Sequence, residues 1–234
     1  GAMDNLQGKT IVVIGANGAF GSELCVQLME AGAKVIGTAR TPESSVRLAA
    51  DLEQRLILDL TSSSSIENFA TYLNSSAPQI DGLIFAAGLV AFGSITDTPA
   101  QVAQTLMQVN SLGQIDLASR LTPKLELSAA AGRSPFVLTI SGVISESPMA
   151  KLAAYSASKT AIHGYSVAAG RELQKLGIRW LDARPGHTES GLASRAIFGV
   201  APNFGVGASV QAVVARMILG ITQGETDLPS SSFK

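Results

Sequence analysis

A chain of 234 residues, 46% of them hydrophobic, can bury one sizeable core but is short for two comfortable domains. Seventeen basic against eighteen acidic residues give a formal charge of -1, which leaves no basic surplus for nucleic acid or an anionic membrane. The single cysteine, Cys25, excludes an internal disulfide, and no run approaches the ~18 uninterrupted apolar residues of a membrane span. The default expectation is therefore a cytoplasmic protein that meets small molecules or further subunits. Gly1-Ala2-Met3 reads as a cleavage remnant plus an initiator methionine, so the folded unit is taken as a single domain over 4–234.

Short apolar runs rich in Val and Ile alternate with longer amphipathic stretches, the pattern of a parallel sheet covered on both faces. Strands are predicted at Thr10 to Ile14, Lys34 to Thr38, Arg55 to Leu58, Gly82 to Ala86, Phe136 to Ile140 and Ile178 to Ala183. Helices are predicted at Ala19 to Ala31, Ser63 to Ser75, Ala100 to Ala131, Ala153 to Leu176 and Ala208 to Gly220, with a break in the longest near Asn110 and Gly113. The fold class that follows is α/β, a doubly wound parallel sheet in three layers. The tail after Thr226, with Pro229 and three serines, is expected to be poorly ordered.

The first strand runs into Gly15-Ala16-Asn17-Gly18-Ala19-Phe20-Gly21 and then directly into an apolar helix. Glycine there lets backbone approach a pyrophosphate, and the helix N-terminus offers unpaired N–H groups with partial positive charge. A tight structural turn is the competing reading. At the end of the second strand an acidic residue would accept from ribose hydroxyls, but this chain has Ala39-Arg40. A guanidinium pairs with a 2′-phosphate, so NADP(H) is favoured over NAD(H), unless Arg40 is simply a solvated cation. Asp59, in Leu58-Asp59-Leu60, fits an acceptor for the adenine amino group or a helix cap equally well.

Tyr155 and Lys159 lie four residues apart on a long helix and so share a face. A tyrosine hydroxyl ordinarily titrates near pH ~10, and a neighbouring ammonium would bring it toward neutral acid–base work. Ser141 falls at the carboxyl end of the fifth strand, where ligands bind in such sheets, and its hydroxyl both donates and accepts. Asn110, at the expected helix break, is placed to anchor a water leading to Lys159.

Together these pieces resemble the short-chain dehydrogenase/reductase family, over nearly the whole chain and in the right order. The likeness rests on the glycine turn at 15–21, Asp59, Ala86-Ala87-Gly88, Val109-Asn110-Ser111, Ser141, Tyr155-Ser156-Ala157-Ser158-Lys159 and Arg184-Pro185-Gly186. The resemblance implies that Asn110, Ser141, Tyr155 and Lys159 form the catalytic tetrad. It also implies that Gly15, Asn17, Gly18, Phe20, Gly21, Arg40, Asp59, Leu60, Ala87 and Gly88 border the cofactor. Pro185, Gly186, Thr188 and Ser190 would stand beside its nicotinamide end, with Tyr155 and Lys159. A homodimer or homotetramer assembled through long helices is implied as well. The sequence departs from the family pattern in its glycine spacing, in Phe85-Ala86-Ala87-Gly88, and in Ser141, which lies one residue farther from the tyrosine than is usual because Gly142 intervenes. Ser145 is the second candidate for that serine.

The resemblance places a substrate lid near 188–205. Leu192, Ile197, Phe198 and Val200 there, with Val90, Phe92, Ile144 and Met149 on other loops, predict a pocket for a small, mainly hydrophobic carbonyl or alcohol, unless these side chains only pack together. His163 and His187 are isolated from other ligand types, so no metal is expected. The expectation is hydride transfer between a nicotinamide and a carbonyl carbon with tyrosine acid/base catalysis. A non-catalytic NADP(H)-binding sensor, or an epimerase or dehydratase on the same scaffold, are the alternatives.

Overall fold

The β-branched runs become six strands in the computed structural model, which describes residues 5–234. They are β1 (Thr10–Ile14), β2 (Lys34–Ala39), β3 (Gln54–Ile57), β4 (Gly82–Phe85), β5 (Phe136–Ile140) and β6 (Arg179–Ala183). The reading of residues 1–3 as a remnant lies outside the described residues. All pairings are parallel, in the order β3-β2-β1-β4-β5-β6, so the chain reverses its direction of build between β1 and β4. A doubly wound sheet opens a crevice at that switch point, beyond the carboxyl ends of the strands.

Two helical layers complete the fold, as the composition pattern predicts. Along β1, Ile11 and Val13 pack into one core with α1 (Ala19–Glu30) and α7 (Val210–Thr222), through Leu24, Leu28, Val213 and Met217. Val12 and Ile14 face the other layer, where α3 (Ser63–Ser76), α5 (Gly113–Ala130) and α6 (Ala153–Gln174) contribute Ile66, Leu73, Leu117, Leu121, Ala169 and Leu173. Burying alternate residues on both faces is why β1 reads as an unbroken apolar run rather than an alternating one. Cys25 is one of the small residues filling the first core, and burial, with the Asp51 charge, pushes its thiol up to about 12.

Helix starts follow side-chain capping. Ser62 accepts the Ser65 N–H at the head of α3, and Ser209 accepts the Ala212 N–H at the head of α7, which moves that start past the predicted Ala208. A one-turn helix, α2 (Pro42–Ser45), closed by reciprocal Thr41 and Ser44 contacts, is too short for periodicity to announce. The predicted break at Asn110 is real. α4 (Ala100–Met107) passes through a π-helical turn, Gln108–Leu112, before α5 begins.

The expectation of a poorly ordered tail is wrong. Leu228 is fully buried and bridges Ala183, with Arg184 N–H donating to its carbonyl at 2.9 Å. Arg184 then clamps Asp227 through two hydrogen bonds, and Arg216 donates to the Ser232 carbonyl. One buried leucine and two arginines thus hold a segment whose composition is loop-like.

At the amino end of the sheet, buried Asp81 receives Arg133 through two hydrogen bonds, the Ser128 hydroxyl at 2.6 Å and the Thr10 N–H at 2.8 Å. Burial alone would raise its pKa, but those hydrogen bonds and the guanidinium charge prevail and hold it below the ordinary carboxylate range. A group titrating lower in the folded state stabilises above its unfolded pKa of ~3.9 and loses that contribution as pH falls through the folded value. Asp81→Asn is accordingly expected to cost about 1–3 kcal/mol at neutral pH, with the gap in thermal midpoint from the parent protein narrowing on acidification.

Candidate functional site

The turn after β1 is fixed by two close approaches. Gly15 has φ +82°, and a Cβ there would lie 2.8 Å from the Ala87 backbone, so the β1 and β4 ends meet with no room for a side chain. A Cβ on Gly21 would sit 1.8 Å from the Gly15 carbonyl oxygen, so α1 is seated directly on the turn. Gly18 is different: as the N-cap of α1 it has an ordinary extended backbone, and a Cβ there would make only van der Waals contact. No side chain caps α1, so the N–H groups of its first turn face the crevice without a side-chain partner. Such a cradle, glycine-lined and headed by a bare helix N-terminus, fits a pyrophosphate. Asn17 is exposed beside it, while Phe20 is half-buried against the core.

Arg40 follows β2 and is largely exposed, 3.6 Å from Asp59. The Asp59 carboxylate accepts the Thr61 N–H and hydroxyl, which makes it a turn cap as well as the partner of Arg40. Leu60 is buried and its carbonyl accepts from Gln108.

Asn110, on the π-helical turn, is fully buried. Its Oδ1 accepts the Leu89 N–H at 2.9 Å, and its Nδ2 donates to the Leu89 carbonyl at 2.8 Å and to Ser158 Oγ at 3.0 Å. The wider turn aims this side chain at the loop after β4 and at α6. Lys159 lies on α6 with its ammonium buried, donating to the Ile140 carbonyl at 2.9 Å. Gly88 sits between the two: a Cβ there would lie 3.6 Å from Asn110 Oδ1 and 3.7 Å from Lys159 Nζ. Ala87 and Gly88 therefore expose backbone where a ligand can approach both groups.

Tyr155 stands one helical turn before Lys159, whose Nζ is 5.9 Å from the centre of the tyrosine ring. The expected lowering of its pKa is not found. Burial pushes the Tyr155 hydroxyl up to about 12. Burial also lowers Lys159, to about 8, against the opposing pull of the Asp182 charge. One cause, burial, moves both groups toward their neutral forms.

Ser141 follows β5 as predicted but is wholly buried, its hydroxyl donating to Asp182 Oδ2 at 2.5 Å. Ser145 Oγ lies 3.1 Å from Ser141 Oγ and donates to the Gly142 carbonyl. The two serines that the sequence left as alternatives are thus hydrogen-bonded neighbours. Beyond Arg184, Pro185 and Gly186 turn the chain, Thr188 Oγ1 donates to the Gly186 carbonyl, and Ser190 Oγ accepts the Leu192 N–H.

The segment expected to form a lid packs on the loop after β4. Val90 carbonyl accepts the Ile197 N–H and Phe92 N–H donates to the Phe198 carbonyl, each at 2.9 Å. Val90, Phe92, Ile144 and Leu152 pack as a small apolar cluster against Tyr155 and Leu192. Met149, Phe198 and Val200 instead line an adjoining cavity of about 590 Å³, together with Lys151 and Asp97. Phe92 and Leu152 belong to both, so the cluster forms one wall of the cavity. A second cavity of about 430 Å³, between β3 and α3, shares no residue with the site. Among the described residues no group of three or more His, Cys, Asp or Glu is placed to hold a metal, and no helix is long and apolar enough to cross a membrane.

Sequence reasoning missed Asp182, which touches Thr139, Ser141 and His163 from within β6. An acidic residue between Leu181 and Ala183 in a buried strand was the available signal.

A family model described as short chain dehydrogenase matches residues 9–197. The human Dehydrogenase/reductase SDR family member 13 is 30% identical over 219 residues, covering 85% of this chain and 56% of that protein. The chain spans little more than half the length of that relative and of its bovine counterpart. A protein of Staphylococcus saprophyticus described as an uncharacterized oxidoreductase is 26% identical, covering 84% of this chain and 86% of that one. Among solved structures, a short chain dehydrogenase from Burkholderia cenocepacia in complex with NADP superposes with a TM-score of 0.80 at 20% identity, covering 97% of this chain and 89% of that one. A 3-ketoacyl-(acyl-carrier-protein) reductase from Brucella melitensis complexed with NADH gives 0.85 at 19% identity, covering 98% of this chain and all of the other. At those identities the two structures establish the doubly wound fold.

The glycine geometry makes its own prediction, checked by thermal unfolding of two variants. Gly21→Ala is expected to cost about 1–3 kcal/mol through overpacking against the turn. Gly18→Ala is expected to stay within about 0.5 kcal/mol of the parent protein.

Proposed function

The chain belongs to the short-chain dehydrogenase/reductase family, and from that premise we propose that it is an NADP(H)-preferring oxidoreductase interconverting a carbonyl and an alcohol on a small, mainly hydrophobic substrate. The observation that carries this reading is the convergence of Asn110 Oδ1 and Lys159 Nζ on Gly88, next to Tyr155, at the carboxyl edge of the sheet. NADP(H), when bound, supplies the hydride. Gly15 and Gly21 with the bare start of α1 would receive its pyrophosphate, and Arg40 its 2′-phosphate. Lys159 would hold the nicotinamide ribose, and Pro185, Gly186, Thr188 and Ser190 would border the ring.

Tyr155 is the acid/base. Burial keeps its proton in place, which suits donation to a carbonyl oxygen as negative charge develops there. Lys159 supplies the positive charge that favours the tyrosinate left behind, and Ser141 with Ser145 positions the reacting oxygen. Asn110 holds the loop after β4 against α6 and would carry a water toward Lys159. The cluster of Val90, Phe92, Ile144, Leu152 and Leu192 excludes water from the acid, while the adjoining cavity supports an apolar substrate reaching beyond the reacting carbon. Exposed Leu127 on α5 and Val167 on α6 support assembly as a homodimer or homotetramer through these helices.

Turnover is measured as NADPH oxidation over a broad panel of carbonyl compounds, with cofactor binding followed separately. Tyr155→Phe is expected to reduce turnover by at least about 1,000-fold while NADPH affinity changes little; retained turnover rejects the acid/base assignment. Activity of the parent protein should fall as pH rises past about 8, where Lys159 loses its charge. Arg40→Ala should weaken NADPH by about tenfold and NADH much less, and equal losses reject the 2′-phosphate role.

A further inference from the structure

Behind Ser141 lies a buried polar cluster that the tetrad does not account for. Asp182 on β6 is 4% exposed, and its carboxylate faces four donors. Thr139 Oγ1 reaches Oδ1 at 2.8 Å, while Ser141 Oγ at 2.5 Å, His163 Nδ1 at 2.6 Å and Arg184 at 3.2 Å all reach Oδ2. Oδ2 is thus crowded by three donors while Oδ1 takes one. Thr139 is itself held by the Trp180 indole N–H and by Ser166. Arg184 is neutralised from its other side by Glu146 and Asp227, so its charge is shared rather than committed to Asp182 alone. From α6, Lys159 is the remaining cation that feels Asp182, and His163 is the one member of the cluster that reaches partway to solvent.

We propose that Asp182 and His163 are positioning residues of the reacting centre, a carboxylate–imidazole pair that fixes the hydroxyl of Ser141 and presents negative charge to Lys159 from behind the sheet edge. The inference rests on the tetrad reading given above. Its physical content is directional. Ser141 donates its hydrogen inward to Asp182, so the oxygen that it offers toward Ser145 acts as an acceptor. A hydroxyl donating to a carboxylate is a stronger acceptor than a free one, since hydrogen bonds in a chain polarise one another. The one Ser145 hydrogen is shared between the Gly142 carbonyl and this Ser141 oxygen. The imidazole covers Asp182 from the side of α6 and supplies a fourth donor without sealing the carboxylate behind apolar packing.

The pair has a signature that does not depend on turnover. An imidazole N–H held at 2.6 Å from a carboxylate gives a strongly downfield proton resonance, and Asp182→Asn should abolish it. The chain has two histidines, so His187→Gln assigns the signal. In turnover, Asp182→Asn should reduce kcat about tenfold with KM for NADPH within about threefold, and should move the alkaline limb set by Lys159 to lower pH, because a charge that favours the ammonium is gone. His163→Ala should lower kcat about fivefold, and His163→Gln, which keeps a donor, should recover most of it. Should Asp182→Asn not fold, the two His163 variants carry the test. An absent downfield resonance in the parent protein, an unmoved alkaline limb in folded Asp182→Asn, or a His163→Ala variant as active as the parent overturns the proposal. A parent protein with no carbonyl turnover defeats the tetrad reading instead, and the resonance with its loss in Asp182→Asn still decides the pair.

Discussion

An ammonium buried at the carboxyl edge of a parallel sheet is the constraint around which this molecule is arranged. Removing a lysine charge from water is unfavourable unless polar groups replace its hydration. Here the Ile140 carbonyl takes one of the Lys159 protons, and the Asp182 carboxylate contributes attraction from beneath. The backbone of Gly88 leaves space in front, and Asn110 stands across that space. Each of these features depends on a distinct part of the fold: the end of β5, a charged residue inside β6, the loop after β4, and a π-helical turn in what would otherwise be one long helix. The ammonium is tolerated because four elements converge on it.

The same burial acts on Tyr155 in the opposite electrostatic sense. A low-dielectric surrounding disfavours any charge, so the phenol keeps its proton while the lysine holds its own less firmly. Proximity on one helix face is therefore insufficient to produce a tyrosinate; the apolar cluster of Val90, Phe92, Ile144 and Leu152 decides the resting state. On the function proposed above, a site in this condition is set as an acid. Charge separation would then be favoured only once a reacting oxygen is present to receive the proton.

The sequence carried the strands well because each is a short apolar run closed by turn residues, and burial on both faces leaves no competing pattern. The placement of the glycine turn and of the Tyr155 and Lys159 pair was legible for a similar reason: it depends on spacing within one local element. Ser141 was legible by position but not by bonding, since its partner Asp182 lies 41 residues away on a neighbouring strand. The tail misled because its serines and proline look like a free end, while the contact that orders it, Leu228 against Ala183, is non-local. The shift on Tyr155 was misjudged because helical spacing reports a neighbour's charge and says nothing of how much apolar surface the fold will bring around both.

Two buried carboxylates show how location separates structural from functional polarity. Asp81 lies at the amino end of the sheet, where it ties Thr10, Ser128 and Arg133 together far from the crevice. Asp182 has nearly the same inventory of partners, hydroxyls and an arginine, yet sits where the strands open onto the ligand crevice. For the first, every donor belongs to the scaffold, so the cluster can only add rigidity. For the second, one donor is a residue proposed to hold the reacting oxygen and another is an imidazole reaching toward solvent, so a change in the carboxylate's charge is felt by Ser141 and Lys159 together. The chemistry of the two clusters is alike; the end of the sheet on which each is built determines whether it reaches the site.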